Sequence, residues 1–193
     1  MHKKTVVFML TILILMIACV CRAEIDPPPV GSTFPDIELL KPSHSSELRY
    51  LGLAGSGNFK ISQIKADVVI IEIFSMYCPY CQGEAPHINN LYAFVENSPI
   101  YKNKIKMIGI AINNSLFEAE IFKNKYKVKF PLVPDGDFKL HKTIGQVRTP
   151  YFFAVKLTGG KAEVIYSQAG VLGDYKAFIE QISKSAWGNR SMP

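Results

Sequence analysis

Val68-Val69-Ile70-Ile71-Glu72-Ile73-Phe74 leads through Ser75-Met76-Tyr77 straight into Cys78-Pro79-Tyr80-Cys81. A near-continuous apolar run of this kind is a strand covered on both faces, because a strand with one wet face would alternate apolar and polar residues. The cysteine pair falls where that strand gives way to a helix. Pro79 suits the first helical position, where its missing N–H does no harm. Beyond it, Ile88, Leu91, Tyr92 and Val95 stand at i, i+3, i+4 and i+7, one face of a helix predicted over Pro79–Asn97. Pro86 predicts a kink within it. Two cysteines separated by two residues at such a junction are placed for thiol–disulfide exchange.

Outward from this unit the alternation continues. Ile105–Ile112 reads as a second buried strand, and Ser115–Tyr126 as a helix with Ser115 as N-cap and Glu118 at capping-box spacing. A short strand over Lys129–Val133 and a short helix over Asp137–Thr143 follow. Tyr151–Leu157 and Ala162–Gln168 form a hairpin around Thr158-Gly159-Gly160, and Gly173–Ala186 is a closing helix that buries Tyr175, Phe178, Ile179 and Ile182. On the other side, Phe34–Leu40 reads as a short strand. Residues 41–58, with Pro42 and Gly52, Gly55 and Gly57, read as a long exposed loop or hairpin region. This order gives an α/β fold with a central mixed sheet flanked by helices. Tyr92, Phe94, Phe152 and Phe153 fall at core spacing. Lys123, Lys125, Lys127 and Lys129 alternate as a solvated face, and His87 and His141 fit no ligand pattern.

Met1-His2-Lys3-Lys4 precede an uncharged run from Thr5 to Val20, then Cys21-Arg22-Ala23. A basic start, an apolar core and a small-residue end describe a signal peptide cut after Ala23. The run is shorter than the roughly 20 residues that span a bilayer, so a retained N-terminal anchor is the weaker reading. Met16-Ile17-Ala18-Cys19 is an imperfect lipoprotein cleavage site. The predicted organisation is residues 1–23 signal peptide, 24–33 extended arm, 34–186 one domain and 187–193 tail. The chain of 193 residues carries 22 Lys and Arg against 16 Asp and Glu. Without Lys3, Lys4 and Arg22 the balance is 19 against 16, or +3, too mild to point to nucleic acid.

Cys19 and Cys21 leave with the leader, so the mature body keeps Cys78 and Cys81 alone. A pair closing so small a loop removes little chain entropy, and an exported protein stapled by disulfides would scatter its pairs. The pair is there for reactivity. Zinc would need two further ligands at suitable spacing, and haem attachment would need His where Gln82 stands. At a helix N-terminus the Cys78 sulfur faces unpaired N–H groups and the positive end of the helix dipole, which favour the thiolate. Cys78 is therefore the nucleophile that forms a mixed disulfide, and Cys81, about one turn on, resolves it. Glu72 shares a strand face with Val68, Ile70 and Phe74, where burial should raise its pKa. Its alternative is a strand-end acid reaching water or a lysine.

From about Val30 to Ser183 the chain resembles the thioredoxin superfamily, and most of all the exported TlpA/ResA-type thiol–disulfide oxidoreductases. The resemblance rests on Val30-Gly31 through Phe34-Pro35-Asp36, the Cys-x-x-Cys helix with Glu84 and Pro86, Thr149-Pro150 before the last hairpin, and Gly170 before the final helix. It implies a thioredoxin-like three-layer fold with an N-terminal extension. It also implies that Glu72 shuttles the proton of Cys81, that Glu84 tunes the thiols, and that Pro150 is cis. Thr149 would then offer its backbone to an extended substrate, with Arg148 flanking. Tyr77 stands where the family usually has tryptophan, and Pro79-Tyr80 resembles the glutaredoxin pair. Tyr77, Pro79 and Tyr80 join Arg148, Thr149 and Pro150 as substrate-contact candidates.

The implied protein is a monomer in the periplasm or on the outer face of the cytoplasmic membrane, with a possible tether through its leader. It would act on protein thiols and disulfides as a reductase, for instance in cytochrome c maturation, fed by a membrane-bound thiol donor. It would need no metal and no cofactor beyond the Cys78–Cys81 disulfide. Three alternatives stand beside this reading: a DsbA-like oxidase, a peroxiredoxin, and a non-enzymatic binding module. The peroxidase motif Pro-x-x-x-Thr/Ser-x-x-Cys is matched by Ser75 but has Ile71 in place of its proline.

Overall fold

The computed structural model describes residues 26–188; the leader and the tail beyond Gly188 lie outside them. In chain order the elements are β1 (Leu39–Leu40), α1 (Ser45–Leu51), β2 (Asn58–Phe59), a 3-10 turn (Ile61–Gln63), β3 (Val68–Phe74), α2 (Pro79–Asn97), β4 (Ile105–Ile112), α3 (Leu116–Tyr126), β5 (Leu132–Asp135), α4 (Lys139–Thr143), β6 (Tyr151–Thr158), β7 (Lys161–Ala169) and α5 (Tyr175–Trp187). Five strands form one sheet in the order β5-β4-β3-β6-β7. β3, β4 and β5 are parallel, and β6 and β7 run antiparallel to their neighbours. β1 and β2 pair separately.

β3 sits at the centre and all seven of its residues are buried, which is why it lacks polar alternation. Val68, Ile70 and Phe74 pack on one face with Ile88, Leu91 and Val95 of α2 and Phe178, Ile179 and Ile182 of α5. Val69, Ile71 and Ile73 pack on the other with Phe34, Leu51, Phe59, Leu140 and Phe153. The two layers make a three-layer α/β fold with Cys78 at the C-terminal edge of β3, where the chain must leave the sheet. α2 spans Pro79–Asn97 as predicted and runs on through Pro86. α3 is closed by the predicted capping box: Ser115 Oγ accepts from the Glu118 N–H, while Glu118 accepts from the Ser115 N–H.

Several predicted elements differ. Residues 41–58 contain a helix, α1, rather than only loop. Its N-cap, His44, makes no side-chain cap bond, so the usual start signal is missing and tertiary contacts hold it. Leu51 is fully buried, and the Tyr50 hydroxyl accepts from the Met107 N–H at 2.9 Å. Gly52, with φ 67°, is its left-handed C-cap. The strand predicted over Lys129–Val133 is β5, Leu132–Asp135, because Lys127 turns out of α3 with φ 56° and residues 128–131 are spent returning to the sheet. Only Leu39–Leu40 of the Phe34–Leu40 segment is strand, and α4 begins at Lys139 after Phe138 in a left-handed conformation. Lys123 is not part of a solvated face: its ammonium turns inward to Glu47 at 2.6 Å and donates to the Phe130 carbonyl. The segment 31–34 is tied to the sheet edge: Gly31 and Phe34 donate to Val164 and Ala162 of β7 and Ser32 accepts from Val164.

Candidate active site

The turn from β3 into α2 is clamped on every side. The Cys78 N–H donates to Ser75 O at 3.1 Å. The Met76 N–H donates to Oδ1 of the fully buried Asn114, and Gln82 Nε2 donates to Met76 O at 2.8 Å. The Tyr77 hydroxyl donates to Glu118 at the start of α3. Cys78 thereby becomes the N-cap of α2, with its Sγ accepting from the Cys81 N–H at 3.4 Å. Its thiol donates to the Thr149 carbonyl at 3.3 Å.

Both cysteines are free thiols, but only Cys78 is partly open to solvent; Cys81 is 0% exposed. Their acidities diverge accordingly. Burial pushes the Cys78 thiol up, but hydrogen bonding from the Thr149 side chain, from Cys81 and from the Tyr80 backbone N–H outweighs it and leaves the thiol below its ordinary value. Burial holds the Cys81 thiol far above its ordinary value; its hydrogen bond to Cys78 and the nearby Glu72 add to the rise. One sulfur is reachable and readily ionised, and the other is shielded and holds its proton. That difference fixes the order of attack in an exchange reaction.

Two carboxyl groups lie beneath the pair. Glu72, paired in register with Gly109, is buried with Oε1 lacking any hydrogen-bond partner. Burial first, then Glu84 and then Cys78, pushes its pKa up to about 8. At neutral pH most of it is protonated, so a proton-carrying acid sits beside the dithiol. The alternative of a strand-end acid reaching water does not hold. Glu84 is also buried, 1% exposed. Its Oε1 accepts from the Leu172 N–H at 2.8 Å, and its Oε2 lies 3.4 Å from His87 Nδ1.

The Thr149–Pro150 peptide is cis, and Pro150 is buried with its carbonyl accepting from the Gly170 N–H at 2.9 Å. The loop that carries it is held from behind. Buried Asp135 accepts from the N–H groups of Leu140 and His141, and the His141 ring reaches Val147 O at 3.0 Å. Arg148, Pro79, Tyr77 and Tyr80 are exposed around Cys78, the two tyrosines at 60% and 72%. The ten residues singled out in the sequence fall in two segments, 72–84 and 148–150, that meet at the Cys78–Thr149 contact, with Glu84 paired to His87. Asn114, Gln82, His87 and Asp135 were not singled out for the site. Asn114 had one legible signal, a polar residue at the C-terminal edge of the strand beside β3. Among the described residues no group of three or more His, Cys, Asp or Glu is arranged to hold a metal ion.

Fold and dithiol together define a thioredoxin-like thiol–disulfide oxidoreductase. The chain belongs to the Redoxin family, whose model matches residues 29–178. It is similar to the thiol-disulfide oxidoreductase ResA of Oceanobacillus iheyensis, 22% identical over 191 residues, with 94% of this chain and 91% of the relative covered. It is also similar to ResA of Geobacillus thermodenitrificans, 25% identical, covering 79% and 78% of the two chains. Among solved structures, a DsbE-type thiol:disulfide interchange protein of Chlorobium tepidum superposes with TM-score 0.62 at 17% identity, over 82% of this chain and 99% of the other. StoA of Bacillus subtilis superposes with TM-score 0.54 at 20% identity, over 80% and 99%. At these identities the structural likeness speaks for the fold alone.

Proposed function

We propose that the protein is an exported reductase of protein disulfides in which Cys78 attacks and Cys81 resolves. The observation that carries this reading is the opposite placement of the two sulfurs, one reachable and stabilised as thiolate, the other buried above Glu72. In the reaction the Cys78 thiolate attacks one sulfur of a partner disulfide and expels the other as a thiolate. The ionised fraction of Glu72 then takes the Cys81 proton, and the Cys81 thiolate attacks Cys78. The Cys78–Cys81 disulfide forms, the partner leaves reduced, and two electrons have passed from the dithiol to it. Glu84 bears on Glu72, and Tyr77, Pro79, Tyr80, Arg148, Thr149 and Pro150 receive the partner chain.

The reductase direction, rather than a DsbA-like oxidase, is supported by the carboxyl groups under the dithiol. A strong oxidant is one whose reduced, thiolate form is stabilised, and the ionised fraction of Glu72 works against a negative charge on Cys81. Export is supported by the leader-like sequence at residues 1–23; among the described residues no helix is long and apolar enough to cross a membrane. An exported reductase needs a thiol donor, which we place in the membrane, and apocytochrome c is the target class we assign from the ResA likeness. The test is a Cys81→Ala variant expressed in cells, which should accumulate partners joined to Cys78. Recovery of apocytochromes supports this function. Recovery of a broad set of newly exported proteins would favour the oxidase, and no adduct at all would refute exchange through Cys78.

A further inference from the structure

His87 belongs to no part of the exchange mechanism described above, yet it touches that mechanism at a buried group. Glu84, 1% exposed, and His87, with a side chain 62% exposed, sit three residues apart on α2 with Nδ1 and Oε2 separated by 3.4 Å. The imidazole is the solvent-facing end of a line of ionisable groups that runs inward through Glu84 to Glu72 and the cysteines. Each neighbour in that line feels the next: Glu84 and Cys78 act on Glu72, and Glu72 acts on Cys81. Seen from Glu84, β3 contributes Glu72, the start of α2 contributes Cys78 and Cys81, and the segment before α5 contributes the Leu172 N–H. Among the described residues neither Glu84 nor His87 forms any other ion pair, so no charged side chain of α3 or α5 lies within ion-pair distance of either.

We infer that His87 is a positioning residue for the resolving step: a positive charge at its place offsets the Glu84 carboxylate 3.4 Å away, and so sets how readily the Cys81 proton is removed through Glu72. This rests on the exchange reading above. An imidazole can stand neutral or carry a positive charge. When it is protonated, its positive charge offsets the Glu84 carboxylate, and Glu72 gives up its proton more readily and is free to accept that of Cys81. When it is neutral, the Glu84 charge acts on Glu72 in full, and Glu72 stays protonated to higher pH. The redox step itself is unchanged. The Cys81 thiolate forms a bond to Cys78 sulfur, the Cys78–partner bond breaks, and the partner leaves as a thiolate.

The test uses the full reduced chain mixed rapidly with an aromatic disulfide that releases a coloured thiolate. Attack by Cys78 gives a first phase, and resolution by Cys81 gives a second. Unmodified protein, His87→Gln (always neutral) and His87→Lys (always positive) are compared across pH 5 to 9. At pH 7 the second phase should be about two- to fivefold faster in His87→Lys than in His87→Gln, the effect of one partly exposed ion pair. The unmodified protein should lie between the two variants. Coincident second-phase profiles with a normal first phase would overturn this inference alone. Equal changes in both phases would also overturn it, since they would mark a general disturbance of the site. Absence of the first phase in the unmodified protein would overturn the exchange reading and this inference with it.

Discussion

Cys78 and Thr149, 71 residues apart, are joined by an S–H···O=C hydrogen bond of 3.3 Å. The contact exists only while the sulfur holds its proton. Once Cys78 ionises, the Thr149 carbonyl faces a negative sulfur, and the N–H of an incoming extended chain is a better partner for it. The same residue acts on the acidity of the thiol through its side chain, whose hydrogen bond helps hold Cys78 below its ordinary value. Substrate docking and thiol activation thus share one residue.

Thr149→Val separates the two roles, because it removes the hydroxyl and leaves the carbonyl in place. A hydrogen bond contributes about 0.5–1.5 kcal/mol net, so Cys78 should become less acidic and its alkylation at pH 7 should slow by about two- to tenfold. The rate of iodoacetamide labelling against pH, read on the Cys81→Ala background, is the measurement. An unshifted titration would remove the hydroxyl from the account.

Glu72 makes stability fall as pH rises. Its pKa goes from the ordinary 4.5 to about 8 in the fold, so between those values the folded state binds the extra proton and loses stability with increasing pH. Glu72→Leu abolishes that slope. The unfolding free energy of the variant, from urea denaturation, should exceed that of the unmodified protein at pH 8 by on the order of a few kcal/mol, and approach it below pH 4.5.

Glu72→Gln addresses the chemistry instead. The amide cannot accept the Cys81 proton, so the mixed disulfide should persist and its resolution should slow at pH 6–8, with far-UV circular dichroism unchanged. First attack by Cys78 should change far less than resolution. Equal resolution rates across that range would take Glu72 out of the proton path.

Tyr77 and Tyr80 present broad apolar faces beside the reactive sulfur. Tyr80→Ala should raise KM for a protein disulfide about tenfold, as loss of an aromatic anchor does, while leaving the reaction with a small disulfide reagent unchanged. Equal loss on both substrates would mean that Tyr80 shapes the thiol rather than the docking surface.

Lys123 and Glu47 pair at 2.6 Å with side chains 15% and 11% exposed, tying α1 to α3. Lys123→Met strands the carboxylate and should cost about 3 kcal/mol in chemical denaturation. The double variant with Glu47→Leu should recover most of it.

The parts of the molecule written in local pattern were legible from sequence. β3 and α2 follow from an apolar run and a 3.6-residue period, and the Ser115–Glu118 box from two residues at fixed spacing. The hairpin is marked by its glycines. What escaped depends on partners far along the chain. α1 is too short to announce itself and is held by Tyr50 and Leu51 against distant strands. Lys123 reads as one of four solvated lysines until α1 brings Glu47 to it. Glu84 is singled out by resemblance alone; its burial and its bond from the Leu172 N–H, 88 residues away, are not written in the local sequence. Cys78, Cys81 and Thr149-Pro150 were visible by type and order, but the contact that joins them is a product of the sheet order.

β7 ends the sheet, and an end strand offers unpaired amide and carbonyl groups to any passing chain. Here Gly31, Ser32 and Phe34 take up the groups of Ala162 and Val164, next to the bulge where the β6–β7 register slips between Ala154 and Val155. The segment ahead of the catalytic body therefore works as a selvedge. A protein trimmed to begin at residue 35 would keep its redox centre and gain a sticky border, inviting its copies to zip together into fibrils.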